Sequence, residues 1–264
     1  MNTKGCAMFP RQACGSEQTG QQDAVRELRR NISQIYEFNH TDGVPPVSAN
    51  VFAPKVESTM CAAMNNAEAP DMLAELRAAT AQAHARLDGA FGALDLSERD
   101  GLARFLSAHA IGLGPLFPVF RNFVESELGM NCPDYPAMLS EDLRSLGNDP
   151  DDLPQLAVDP ALQAPSAPVG VGYVVAGSRL GMAVLRKQGY WGEQSTSATP
   201  GRYMEDESGH AVWKTLMPWL KGRTFDQGER EAVTAAALAA FSSFASAFAV
   251  SAGRKNTIET GADG

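Results

Sequence analysis

Apolar and polar positions change their rhythm at about residue 70. From Asp71 to Leu87, the residues Leu73, Leu76, Thr80, His84 and Leu87 recur at three- and four-residue steps, while Glu75, Arg86 and Asp88 lie off that stripe. This is the period of an amphipathic helix, and it puts His84 on or beside the apolar face. A second series, from Leu102 through Phe105, Leu106, His109, Leu113, Leu116, Phe117 and Phe120 to Phe123, predicts a helix running toward Leu128. Asp95 or Ser97 would cap its start, and Gly114-Pro115 predicts a kink or break. A short helix follows over Tyr135–Leu146, with Gly147 as its stop. After a connection rich in Asp and Pro (148–168), apolar runs predict helices over Pro168–Gln188, ended by Gly189, and over Gly201–Leu220. The last helix runs from Phe225 or Asp226 to about Ser251, with Ala237, Leu238, Phe241, Phe244 and Phe248 as its buried side. No alternating strand pattern competes, so the fold class is all-α: a multi-helical bundle over residues 71–252 with a polar tail, 253–264.

Residues 1–70 read differently. They are rich in Gln, Asn, Ser and Thr, and contain Pro45-Pro46 and Pro54. A poorly ordered leader is expected, with one short helix, because Val25, Leu28, Ile32 and Ile35 recur at helical steps within Asp23–Phe38. That apolar face would suit docking on the main domain or on a partner.

Composition narrows the function. The 264 residues are 44% hydrophobic and carry a net charge of −9, enough for one well-buried domain. The leader holds six basic and seven acidic residues, so the charge belongs to the helical part. An acidic domain argues against nucleic acid as the main partner. No apolar run reads as approaching the roughly 20 residues that span a bilayer, and the N-terminus lacks a signal-peptide apolar core; a cytoplasmic protein with no membrane partner is expected. Cys6, Cys14, Cys61 and Cys132 show no metal or disulfide spacing and read as free thiols.

The stretch Tyr173-Val174-Val175-Ala176-Gly177-Ser178-Arg179-Leu180-Gly181-Met182 is the most informative. Gly177 and Gly181 share one helix face at i, i+4, and each costs the helix roughly 1 kcal/mol relative to alanine. Something must therefore approach that backbone closely, another helix or a flat ligand. His84 and His109 are each, in isolation, most simply core histidines. Cys132-Pro133 is too short a signal to carry weight. Glu-x-x-His spacing occurs at Glu37/His40 and Glu207/His210, both in polar runs that fit poorly with a buried di-iron centre.

Leu76-Arg77-Ala78-Ala79-Thr80-Ala81-Gln82-Ala83-His84-Ala85-Arg86-Leu87 resembles the proximal helix of the heme oxygenase family. Tyr173 to Gly181 resembles the distal helix of its bacterial, biliverdin-producing branch, and Asp142-Leu143-Arg144-Ser145-Leu146-Gly147 and Trp213 also fall where such proteins carry similar residues. The resemblance covers about residues 71–250. It implies that His84 is the sole protein ligand to heme iron, that Gly177 and Gly181 let the distal backbone lie against the porphyrin, and that Ser178 stands where the family orders its distal water. Arg77 matches the position of a basic propionate contact in the family, with Tyr173, four residues before Gly177, as a second candidate and Lys214 as a third; the Met182 thioether would pack on the porphyrin edge or crowd the distal side. Heme would serve as cofactor and substrate, cleaved with O2 and reducing equivalents to biliverdin, carbon monoxide and ferrous iron. A ferredoxin or flavoprotein reductase would supply electrons, and a phytochrome-type photoreceptor is a possible acceptor of biliverdin. Two positions depart from the pattern: Met182 stands where the family often has a second glycine, and Ala176 where the branch often has an acid. These keep a second reading open, a non-catalytic heme-binding or signalling protein on the same fold.

Overall fold

In a computed structural model of the chain, residues 71–193 and 201–252 are described. The expected leader helix (Asp23–Phe38), most of the Gly192–Pro200 loop and the 253–264 tail lie outside them. The first helix, α1, runs Met72–Phe91, a turn beyond the expected end, and Asp71 caps it by accepting from the Leu73 N–H. Next comes α2, Arg99–Leu113. Neither Asp95 nor Ser97 caps it: Asp95 instead accepts from the Ser97 N–H and hydroxyl in the preceding turn, which holds its carboxyl below the ordinary carboxylate range. The chain then breaks at Gly114-Pro115 and resumes as α3, Phe117–Asn122, which widens into a π-helical turn, Phe123–Glu127. The bend between the two arms is 69°, because Pro115 cannot donate a helical hydrogen bond.

Helix α4, Tyr135–Ser145, ends at Gly147, whose φ of +74° explains the glycine. The 148–166 connection carries two single 3₁₀ turns, Pro150–Asp152 and Pro160–Gln163. Then come α5, Ala167–Gln188, and α6, Arg202–Glu205, followed by α7, Ser208–Lys221, and α8, Gln227–Ser251. The single helix expected over Gly201–Leu220 is thus two. Asp206 stands at the break and accepts from Ser208 and Gly209, a local side-chain alternative to continuing the helix. A capping box of Asp226 and Glu229 opens α8.

The core is one apolar cluster with α8 at its centre. Helices α1, α2 and α5 each pack along α8 rather than along one another. Against α5 the fit depends on Gly170: a Cβ there would stand 2.1 Å from the Val233 carbonyl oxygen. Two of these helices correct an expectation drawn from the sequence. Contrary to the expectation that no stretch is long and apolar enough for a bilayer, Ala167–Lys187 and Gln227–Ser251 both are. Their apolarity serves the core, since Val171, Val175, Val233, Ala236 and Ala240 are buried among other helices.

Candidate functional site

Because α1 and α5 both lean on α8 but hardly on each other, a gap stays between them. It is a cavity of about 110 Å³ that opens to solvent at its mouth. His84, Leu87, Asp88 and Phe91 come from α1, and Phe105 and His109 from α2. Helix α5 brings Tyr173, Val174, Gly177, Ser178, Gly181, Met182 and Leu185, and Trp213, Phe241 and Phe244 complete the lining from α7 and α8. Of the residues singled out from the sequence, His84, Tyr173, Gly177, Ser178, Gly181 and Met182 thus meet in one place. Arg77 does not line the cavity.

The imidazole of His84 is held from its own helix. Nδ1 lies 2.8 Å from Oδ2 of Asp88, one turn further on. Phe241 meets the ring edge-to-face at 5.7 Å. A carboxylate on Nδ1 fixes the tautomer with its proton there and makes Nε2 the ligating nitrogen, the arrangement that metal-binding histidines share. Asp88 was not singled out from the sequence, although its i, i+4 spacing from His84 was the available signal.

The two glycines do different things. A Cβ at Gly177 would stand 3.2 Å from the Trp213 ring, so this glycine makes room for a neighbouring side chain. A Cβ at Gly181 would meet nothing within 4 Å. Its missing side chain leaves bare backbone facing open space. Met182 is buried at the cavity wall. The Ser178 hydroxyl donates to the Val175 carbonyl at 2.8 Å, so toward the cavity it offers only an acceptor oxygen.

Tyr173 is buried, its ring 5.9 Å from that of Trp213. Burial raises its hydroxyl above the ordinary phenol range, opposed by a hydrogen bond with Thr80 and by the charge of Arg77. The Thr80 hydroxyl donates to the Leu76 carbonyl of its own helix at 2.7 Å.

His109, expected to be structural, is buried and yet lines the cavity. Nδ1 lies 2.9 Å from the Phe105 carbonyl, which makes it the protonated nitrogen and Nε2 an acceptor. The ring sits among Phe91, Phe105, Tyr203 and Phe244. Burial lowers its pKa to about 4, partly offset by the Phe105 hydrogen bond and assisted by the nearby Arg179 charge.

The remaining sequence candidates fall elsewhere. Burial pushes the Cys132 thiol up to about 11, away from thiolate chemistry, and it is not in the cavity. Glu207 pairs with Arg186 on the surface, and no group of three or more metal-ligating side chains exists among the described residues. Asp142 is buried and accepts from the N–H groups of Arg202 and Tyr203, pinning α6 to α4.

No family model matches the chain, and no curated protein does. Among solved structures, the NO- and CO-bound heme oxygenase from Neisseria meningitidis shares the fold. The TM-score is 0.52 at 19% identity, over 72% of this chain and 96% of that one. The fold is therefore the all-α heme oxygenase fold. The residues present fit a heme: a carboxylate-held imidazole, walls of Phe, Leu, Val and Trp, and at Gly181 a bare stretch of backbone against which a flat macrocycle can lie.

Proposed function

We propose that the chain binds heme in this cavity and cleaves it, with O2 and reducing equivalents, to biliverdin, carbon monoxide and ferrous iron. The observation that carries the reading is the pairing in one apolar cavity of His84, held by Asp88, with the open backbone at Gly181. Heme supplies the oxidative chemistry and is itself consumed. The chain's part is binding, orientation and control of water. Asp88 accepts a hydrogen bond from the Nδ1–H of His84, fixes the ring's orientation and would make Nε2 a stronger donor to iron. Gly181 admits the ring close to α5. Ser178 and His109 offer acceptor oxygen and nitrogen to ordered water. Phe105, Trp213, Phe241 and Phe244 exclude bulk water. Tyr173, which lines the cavity, offers its hydroxyl to a propionate. Electrons come from a ferredoxin or flavoprotein reductase, the setting is the cytoplasm, and a phytochrome-type photoreceptor is a fitting consumer of the product.

A second reading rests on Met182. Its buried thioether takes up space at the wall beside Gly181, which suits a protein that binds heme without turning it over. Titration with hemin followed by ascorbate or a reductase in air separates the two. A saturable Soret band that decays into a biliverdin band supports the enzyme. A Soret band that persists supports the binding protein, and absence of a Soret band defeats both.

A further inference from the structure

Helix α8 does more than centre the core. From Ala232 to Ser251 it carries no charged side chain. One side is buried, but Ala235, Leu238, Ser242, Ala245, Ser246, Ala249 and Val250 form an exposed stripe at helical steps. Among the described residues four large apolar side chains are exposed: Val158, Trp191, Leu238 and Val250. Leu238 and Val250 stand on this stripe. Val158 edges a groove that α8 forms with the 148–166 connection, lined by Leu156, Val158, Pro160, Ala239, Ser242 and Ser246 among others. A stripe without charge, beside a groove whose lining mixes Leu156, Val158 and Pro160 with Asp159 and three serines, is a seat for an amphipathic helix.

We propose that the occupant is the chain's own segment 23–38, laid on α8 through Val25, Leu28, Ile32 and Ile35. Where the described chain begins supports this. Asp71 is the cap of α1, and one turn later Glu75 bonds Arg230 and Thr234 of α8. Thr234 precedes Leu238 by about 6 Å along the helix. The leader thus departs beside the start of the stripe. Residues 39–70 have a contour length of roughly 110 Å, enough to reach any point along α8 at about 38 Å. A tether of this kind gives a local concentration on the order of millimolar, which favours the chain's own segment over a second copy. The segment's apolar residues at three- and four-residue steps match the period of the stripe.

The test uses the full chain with p-benzoyl-phenylalanine placed at Ser242, and separately at Ser246, both exposed. Irradiation of a mixture with 15N-labelled protein distinguishes crosslinks within a chain from those between chains. The expected result is a crosslink within one chain mapping to residues 23–38, lost in the double variant Leu28→Asp, Ile32→Asp. Crosslinks between labelled and unlabelled chains would replace the proposal with a dimer interface. Crosslinks to neither, from both positions, would overturn it, as would a crosslink that survives the double variant. Hemin titration of the same samples keeps this outcome separate from the state of the cavity.

Discussion

His84 and Asp88 show how little separates a core histidine from a metal ligand: one carboxylate on the next turn. His84→Ala is expected to abolish turnover and weaken hemin binding in an absorption titration. Asp88→Asn leaves the ring in place but removes the charge from Nδ1. Its affinity for hemin should fall roughly ten- to a hundredfold, with an altered iron–histidine stretch in the resonance Raman spectrum, a shift that a merely structural aspartate would not cause. Gly181 gives the converse test. Nothing lies within 4 Å of its missing Cβ, so Gly181→Leu should leave thermal stability near that of the parent while impairing heme turnover. A large fall in Tm would show that the space is filled by protein.

At the same scale His109 couples the cavity to pH. It is buried neutral with a pKa of about 4, below the ordinary 6.5. In the unfolded chain it takes up its proton at the higher value. Its neutral form therefore costs the fold nothing above about pH 6.5, and stability is lost as pH falls from there toward 4, by up to about 3 kcal/mol. Urea midpoints between pH 7 and 4.5 should drop less steeply in His109→Phe than in the parent chain. Equal slopes would show that this histidine is not the titrating group.

Among the elements, α5 is the one whose glycines divide the labour. Gly170 lets α8 approach, Gly172 lies against Phe123, Gly177 accommodates Trp213, and Gly181 faces the cavity. A Gly170→Ala change forces a Cβ to within 2.1 Å of the Val233 carbonyl unless the helices separate. Overpacking of this kind costs about 1–3 kcal/mol, to be seen as a lowered urea midpoint. Arg179 ties the same helix to the next segment. It is buried, donates to the carbonyls of Tyr203 and Asp206, and lies over the rings of Tyr135 and Tyr203. The break between α6 and α7 falls in the polar run 205–210, where Asp206 accepts from Ser208 and Gly209, a local signal that the sequence carried; the bond from Arg179 across to Tyr203 and Asp206 was not legible, because it joins residues far apart in the chain.

For the whole molecule, the cavity is a gap in the core that five helices line. A ligand that fills it joins them together and binds the folded state alone. Thermal stability should therefore rise with hemin, by about 2.7 kcal/mol at a free concentration of a hundred times Kd, and His84→Ala should need much more hemin for the same rise in Tm. At the same scale, α5 and α8, both long and apolar enough for a bilayer, each bury part of their surface among other helices, while α8 also keeps an exposed stripe.

Local periodicity alone determined that the chain is helical, where most helices start and stop, that the chain bends at Gly114-Pro115, and that Gly177 and Gly181 of α5 share one face, while His84 was set apart only by the family resemblance. Those properties depend on residues within a turn or two of each other. The tertiary structure decided which groups meet. It brought His109 from the core into the cavity wall, kept Arg77 out of it, gave Gly177 to Trp213 and Gly181 to open space, and among the described residues left one side of α8 exposed. Each outcome depends on how helices distant in sequence are spaced around α8, and that spacing is set by packing volumes no single segment contains.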